Sequence, residues 1–257
     1  MKIFGFTLAE GATHVAISHN CRRIAFTLAE VLITLGIIGV VAALTMPTLI
    51  QKHQKQAYVT GFKKGVSVVD NMFKKMQADE GASSFWNTEL ISQGVCEYYS
   101  QTPCEDLYGN PSVFERIIPK YIKTVKVCKG SECSVKYSYY NNYSKNTDGI
   151  VESVDASSLV RNKSITDIYN GPFCSISLPE TSMLGFYTSD GAIYYIIPGG
   201  DVFGAIIAID SNGEKGPNIF GRDLLMYSYN KGKVSLNACS SHKYAQTIVE
   251  SGWKMNY

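Results

Sequence analysis

The chain has 257 residues, 45% hydrophobic and 18% charged, enough apolar material for one sizeable core or two small ones, and this excludes a disordered polyelectrolyte. Its formal charge of +2 is confined to the first 25 residues, where Lys2, Arg22 and Arg23 face only Glu10; beyond them 21 basic and 21 acidic side chains balance. A balanced body argues against nucleic acid as a partner through bulk electrostatics.

The word Phe-Thr-Leu-Ala-Glu occurs twice, at 6–10 and at 26–30. The first copy runs into GATHVAISHNCRR, too polar and basic for a membrane core. The second opens 20 residues without a charge, Val31 to Ile50, and a helix of that length spans the ~30 Å hydrocarbon core of a bilayer. One membrane span is therefore expected at 31–50. Glu30 stands at its edge, where a carboxylate needs a partner, because burial at mid-span would cost ~2.5–3.5 kcal/mol.

A basic pair (Arg22-Arg23), a small residue, then Phe-Thr-Leu-x-Glu leading into an apolar helix resembles the leader of type IV prepilins and type II secretion pseudopilins. The likeness covers about residues 20 to 80 well and the remainder loosely. It implies a leader at 1–25, removed by a prepilin peptidase that cuts between Ala25 and Phe26 and N-methylates Phe26. It also implies a long helix over 26–80 with a kink at Pro47, and a globular head over 81–257 on the periplasmic or extracellular side of a bacterial inner membrane. Glu30 falls at the family's acidic position, which implies pairing with the α-amine of Phe26 on a neighbouring subunit during filament assembly. Two alternatives for Glu30 are a place among lipid headgroups and a bond to the amine of its own Phe26. Ala25 departs from the family's usual Gly before the cut; one methyl in a snug pocket is worth ~1–3 kcal/mol, enough to slow cleavage. Val41-Ala42-Ala43 offers a competing ordinary signal-peptidase site, which would release a soluble protein beginning at Leu44.

Beyond Ile50, Tyr58, Phe62, Val66, Val69, Phe73 and Met76 recur every three or four residues, one stripe of a continuing amphipathic helix. Gly81 suits its end, and Gly61 and Gly65 are expected to soften it. Six cysteines follow the apolar segment: Cys96, Cys104, Cys128, Cys133, Cys174 and Cys239. An even set suits disulfides in an oxidising compartment, with Cys128 to Cys133 the easiest local loop, and puts this side of the span outside the cell interior. Residues 81–180 read as a loop-rich, disulfide-stapled region with short strands in KYIKTVKV and SVKYSYY. The tyrosines from Tyr137 to Tyr143 read as hairpin residues around Asn141-Asn142.

From 184 to 240 the pattern is LGFYT, AIYYIIP, GAIIAID, LLMYSYN and KVSLNA, divided by Ser-Asp-Gly, Pro-Gly-Gly, Ser-Asn-Gly and Asn-Lys-Gly. Short connections predict an antiparallel sheet of about four strands lying across the long helix, an α+β arrangement of pilin-like type. Between two of these strands lies DSNGEKGPNIFGRD. Asp210, Asn212, Glu214, Asn218 and Asp223 offer the oxygen ligands that Ca²⁺ takes, but not at EF-hand spacing; an Asx turn followed by a proline-fixed bend accounts for the same residues. No organic cofactor is called for, and Ca²⁺ is the one inorganic candidate.

The expected function is structural: a prepilin-like subunit of a type IV pilus or a type II secretion pseudopilus, with the prepilin peptidase and other subunits as partners. A minor tip subunit that binds a surface or a secreted protein is the alternative. An exported enzyme is disfavoured, since beyond the apolar segment only His53 and His242 remain and no Gly-x-Ser-x-Gly or phosphate-binding loop accompanies them.

Overall fold

The computed structural model describes residues 27–94, 111–129, 132–133, 135–140, 159–169, 183–198, 205–230, 232–235 and 248–255. The chain divides into two units, residues 1–48 and 49–257, and one helix, α1 (Leu28–Asp79, 52 residues), contributes to both.

In the first unit α1 begins at a capping box. Thr27 accepts from the backbone N–H of Glu30, while the Glu30 carboxylate accepts from the backbone N–H and the hydroxyl of Thr27. Its side chains are Leu, Ile and Val with small residues between, and the large ones lie open: Leu28, Leu32, Ile37, Ile38, Val40 and Leu44 are all exposed by 60% or more. The hydroxyls of Thr34, Thr45 and Thr48 bond backbone carbonyls of Val31, Val41 and Thr45, so none offers an unmet polar group to its surroundings. Pro47 lies inside the helix.

The second unit is built on the rest of α1. Tyr58, Val59, Phe62, Gly65, Val69, Met72, Phe73 and Met76 are buried, the expected stripe with its neighbouring row. Each large apolar side chain so covered contributes ~1.5–3 kcal/mol. The helix stops in a Schellman turn: Gly81 has φ +60°, its N–H bonds the Ala78 carbonyl, and the Ala82 N–H reaches back to Gln77. Two short helices follow, α2 (Glu89–Gly94) and α3 (Pro111–Ile117). The region expected to be loop-rich therefore carries helices, and it also supplies a strand to the main sheet.

That sheet has six antiparallel strands in the order β1 (Thr124–Lys129), β4 (Leu184–Thr188), β5 (Ile193–Pro198), β6 (Ala205–Asp210), β7 (Leu224–Asn230) and β8 (Lys233–Ser235). The five downstream runs are strands as the pattern predicts; β1 joins them from the KYIKTVKV run. Phe186, Tyr194, Ile196, Ile207, Ile209, Leu225, Tyr227 and Tyr229 face α1 in one core. Ring packing ties the layers together, with Phe62 and Tyr227 centroids 6.0 Å apart and Phe73 stacked at 4.4 Å on Tyr229.

The opposite face is covered too. Ile193, Tyr195, Ile197, Ile206, Ala208, Leu224 and Met226 form a second core with Tyr137, Ile165, Ile168 and Tyr169. These last come from β2 (Tyr137–Tyr140) and from the short helix α4 (Ile165–Ile168) and its C-cap Tyr169, with β3 (Leu159–Lys163) beside β2. The sheet lies across the helix as expected and is covered by a second layer on its other face, which explains why all six residues of β6 are buried. The turn expected at Asn141-Asn142, with Tyr143, lies outside the described residues; among the described ones, β2 pairs antiparallel with β3.

Candidate functional site

Two places carry polar chemistry out of the ordinary: the start of α1 and the loop between β6 and β7. Ala25, Phe26 and the expected leader 1–25 lie outside the described residues, as do Cys96, Cys104, Cys174, Cys239 and His242. Glu30 is described, and its partner is Thr27 of its own chain, 2.8 Å from both the Thr27 nitrogen and the Thr27 hydroxyl. Both bonds fall on Oε2. The signal for this was in plain view, since Thr-x-x-Glu before an apolar run is the capping-box pattern. Cys128 and Cys133 form a disulfide with Cα atoms 5.1 Å apart, packed over Gly185 of β4.

The loop from Asp210 to Asp223 leaves β6, makes a 3₁₀ turn at Gly213–Lys215, passes a cis Gly216–Pro217 bond and re-enters at β7. Asp210 closes its start. One carboxylate oxygen accepts from the N–H groups of Gly213 at 2.7 Å and Asn212 at 3.2 Å. The other accepts from the Tyr137 hydroxyl at 2.9 Å, and that hydroxyl lies 2.8 Å from the hydroxyl of Tyr195. Tyr195, Tyr137 and Asp210 thus form a buried chain in which each hydroxyl donates to the next acceptor. Asp223 closes the other end, accepting from the N–H groups of Asn218 and Ile219, both at 2.7 Å. The ends are joined by Ser211, whose N–H bonds the Asp223 carbonyl at 3.1 Å. Strand β2 docks on the same loop through Ser138, which exchanges bonds with Asn218 and Phe220.

Burial, with Asp223 close by, pushes the Asp210 carboxyl up to about 8 despite its three donors. Asp223 is also raised, by desolvation that outweighs its two amide bonds. The side-chain oxygens of Asn212 and Asn218 are buried without a hydrogen-bond partner. Glu214 is exposed on the 3₁₀ turn. All five expected ligand residues therefore belong to one loop, Glu214 on its exposed 3₁₀ turn and the other four in its hydrogen-bonded, more buried part. No group of three or more His, Cys, Asp or Glu able to hold a metal exists among the described residues. What the loop does offer is two carboxylates and two orphaned amide oxygens, a donor set that suits a hard cation such as Ca²⁺ and not a thiophilic metal. Asp210, Asp223, Asn212 and Asn218 would hold it.

No protein-family description matches the chain, and neither does any curated protein or solved structure.

Proposed function

We propose that the chain is a prepilin-like structural subunit, anchored by residues 31–50 and drawn into a type IV pilus or type II secretion pseudopilus through its N-terminal helix. The observation that carries this reading is the division of labour along α1. Its first part is long and apolar enough to cross a membrane, and among the described residues nothing buries that window. Its later part is the core helix of an α+β unit. Soluble core helices bury their apolar window; this one leaves it bare, as a segment solvated by lipid or by copies of itself must. The Cys128–Cys133 disulfide supports a head on the oxidising side of the inner membrane. Work of this kind is assembly, not catalysis.

N-terminal sequencing of the mature protein tests it. N-methyl-Phe at position 26 is the expected result. A mature chain beginning at Leu44 would favour an ordinary exported protein, and an intact Met1 would mean that neither signal is used. Glu30→Ala should leave membrane insertion intact and reduce the filament-associated fraction; undiminished assembly in that variant removes the role given to Glu30.

A further inference from the structure

The second unit has two separate cores. One lies between α1 and the sheet, the other between the sheet's far face and the layer made by β2, β3 and α4. The Cys128–Cys133 disulfide joins the sheet to the chain that enters this layer: Cys128 sits on β1 opposite Gly185 of β4, and Cys133 stands four residues before Tyr137, where β2 begins. We propose that this pair is a redox clasp: as a disulfide it holds the covering layer closed on the sheet, and as two thiols it lets that layer open while the α1 core stays folded.

The two sulfurs share one cradle. A Cβ on Gly185 would lie 2.6 Å from the Cys128 sulfur, 2.8 Å from the Cys133 sulfur and 3.0 Å from a ring carbon of Tyr195. Glycine is therefore required beneath the pair, and the Tyr195 ring walls one side. Reduction parts the sulfurs to ordinary non-bonded contact, and the Gly185 backbone and the Tyr195 ring stand against that widening. Tyr195 is also what the layer grips: its ring meets that of Tyr137 edge to face at 6.1 Å, and the two hydroxyls lie 2.8 Å apart. Displaced sulfurs thus act on the fully buried tyrosine at the head of β2. From there the effect reaches the loop, since Tyr137 bonds Asp210 and the adjacent Ser138 exchanges bonds with Asn218 and Phe220. The first core is built without them: Phe62 and Phe73 pack on Tyr227 and Tyr229, and no described cysteine belongs to it.

Burial sets the order of events. Each cysteine is 3% exposed in the closed form, so an oxidant reaches the pair only while the layer is open, and oxidation precedes closure. The oxidant is an external disulfide. The thiolate of one cysteine attacks it and expels a thiolate; the second cysteine attacks the mixed disulfide and expels the other, so two electrons and two protons leave the chain and the external disulfide becomes two thiols. Tying a loop of sequence separation 5 restricts the open state and, by the chain-entropy relation, favours closure by a factor on the order of 30. Reducing surroundings thus leave the sheet's second face, with Ile193, Tyr195, Ile197 and Ile206, open to exchange, and oxidising surroundings seal it. The clasp concerns the second unit alone, so it stands or falls independently of the membrane anchoring.

Hydrogen exchange followed by mass spectrometry on the full-length chain in detergent tests it. In Cys128→Ala with Cys133→Ala, peptides covering 135–140 and 159–169 should exchange on the order of 30-fold faster than in wild type, and peptides covering 58–76 less than about threefold faster. Dithiothreitol should produce the same acceleration in wild type and oxidised glutathione should reverse it, while neither moves these peptides in the variant. The other cysteines are present in both proteins, so a response that survives in the variant belongs to them and overturns the assignment. Unchanged exchange in the variant overturns it too, as does equal acceleration along 58–76, which would make the disulfide a general stabiliser. Should the double variant fail to fold, wild type titrated through glutathione buffers carries the comparison. Protection of 135–140 and 159–169 should then follow the oxidation of Cys128 read by alkylation, and protection that ignores it sinks the clasp.

Discussion

Replacing Asp210 with Asn removes a buried ionisable group while keeping its shape, and the consequence depends on pH in a calculable way. A carboxyl raised from its ordinary value near 4 to about 8 makes folding take up a proton, so the stability it allows is complete at low pH and is lost as pH rises through that window. At 1.36 kcal/mol per unit the loss between pH 4 and pH 7 is at most about 4 kcal/mol. Asn cannot ionise, so the variant escapes it. It still accepts from Gly213 and Asn212, and its amide donates to Tyr137 as the protonated carboxyl of the wild type does at low pH, so the two chains carry equivalent hydrogen bonds there. Asp210→Asn should accordingly melt with wild type at pH 4 and about 5–10 °C above it at pH 8 in EDTA. Thermal unfolding followed by the fluorescence of Trp86 and Trp253 at pH 4, 6 and 8 reads this directly. Melting curves that stay together across the range, in place of curves that part as pH rises, would refute the reasoning.

Millimolar Ca²⁺ should raise the wild-type melting temperature by several degrees, more at pH 8 than at pH 6 because the carboxylates must ionise to bind, and Asp210→Asn should abolish the response; a calcium titration by differential scanning fluorimetry checks it. Gly65→Ala should destabilise by ~1–2 kcal/mol, because a Cβ there would sit 2.8 Å from two Ile209 methyl groups, outweighing a helix-propensity gain of ~1 kcal/mol. Gly36→Ala, with nothing within 4 Å, should show no such loss when urea melts of the two are compared. Tyr227→Phe should raise the melting temperature by about 2–4 °C, since the Tyr227 hydroxyl is buried without a partner, whereas Tyr137→Phe, which strips Asp210 of a donor, should lower it.

Much of the second unit was legible in its sequence because the relevant signals are local. The stripe from Tyr58 to Met76, the stop at Gly81 and the five strands after residue 183 each follow from spacing and turn chemistry within a dozen residues. What escaped is long-range. The run AIIAID announces a strand, but only the fold reveals that its second face is covered by β2 and α4. Gly61 and Gly65 read locally as points of softness along a helix; the fold adds that they let α1 approach Ser211 and Ile209 at distances a side chain would forbid. Asp210 reads as an Asx-turn residue or a ligand, and the Asx turn is there in its bonds from Asn212 and Gly213; what the local sequence does not tell is that it is a buried acid also held by a tyrosine 73 positions earlier in the chain. The capping box is a local signal too: Thr27-x-x-Glu30 stands directly before the apolar run.

The two meanings of Glu30, cap and pairing partner, are compatible, and energetics suggests an order for them. A carboxylate at the edge of an apolar run costs a few kcal/mol if unpartnered. The capping box offsets part of this: Oε2 accepts from the Thr27 N–H and hydroxyl, while the Thr27 hydroxyl oxygen accepts from the Glu30 N–H. Under the proposed function, a lone subunit would keep a residual penalty that an incoming cation can relieve at Oε1 without breaking the cap. In the proposed assembly that cation is the amine of a neighbouring Phe26. The gain would be a charge-assisted bond added to the helix start, not exchanged for it. Thr27→Val should then weaken the isolated subunit's helix start while leaving the acid free to pair. Glu30→Gln should keep the cap and lose the pairing. Only the second variant should lower the filament fraction, and a loss of filaments in the first alone would reverse the roles.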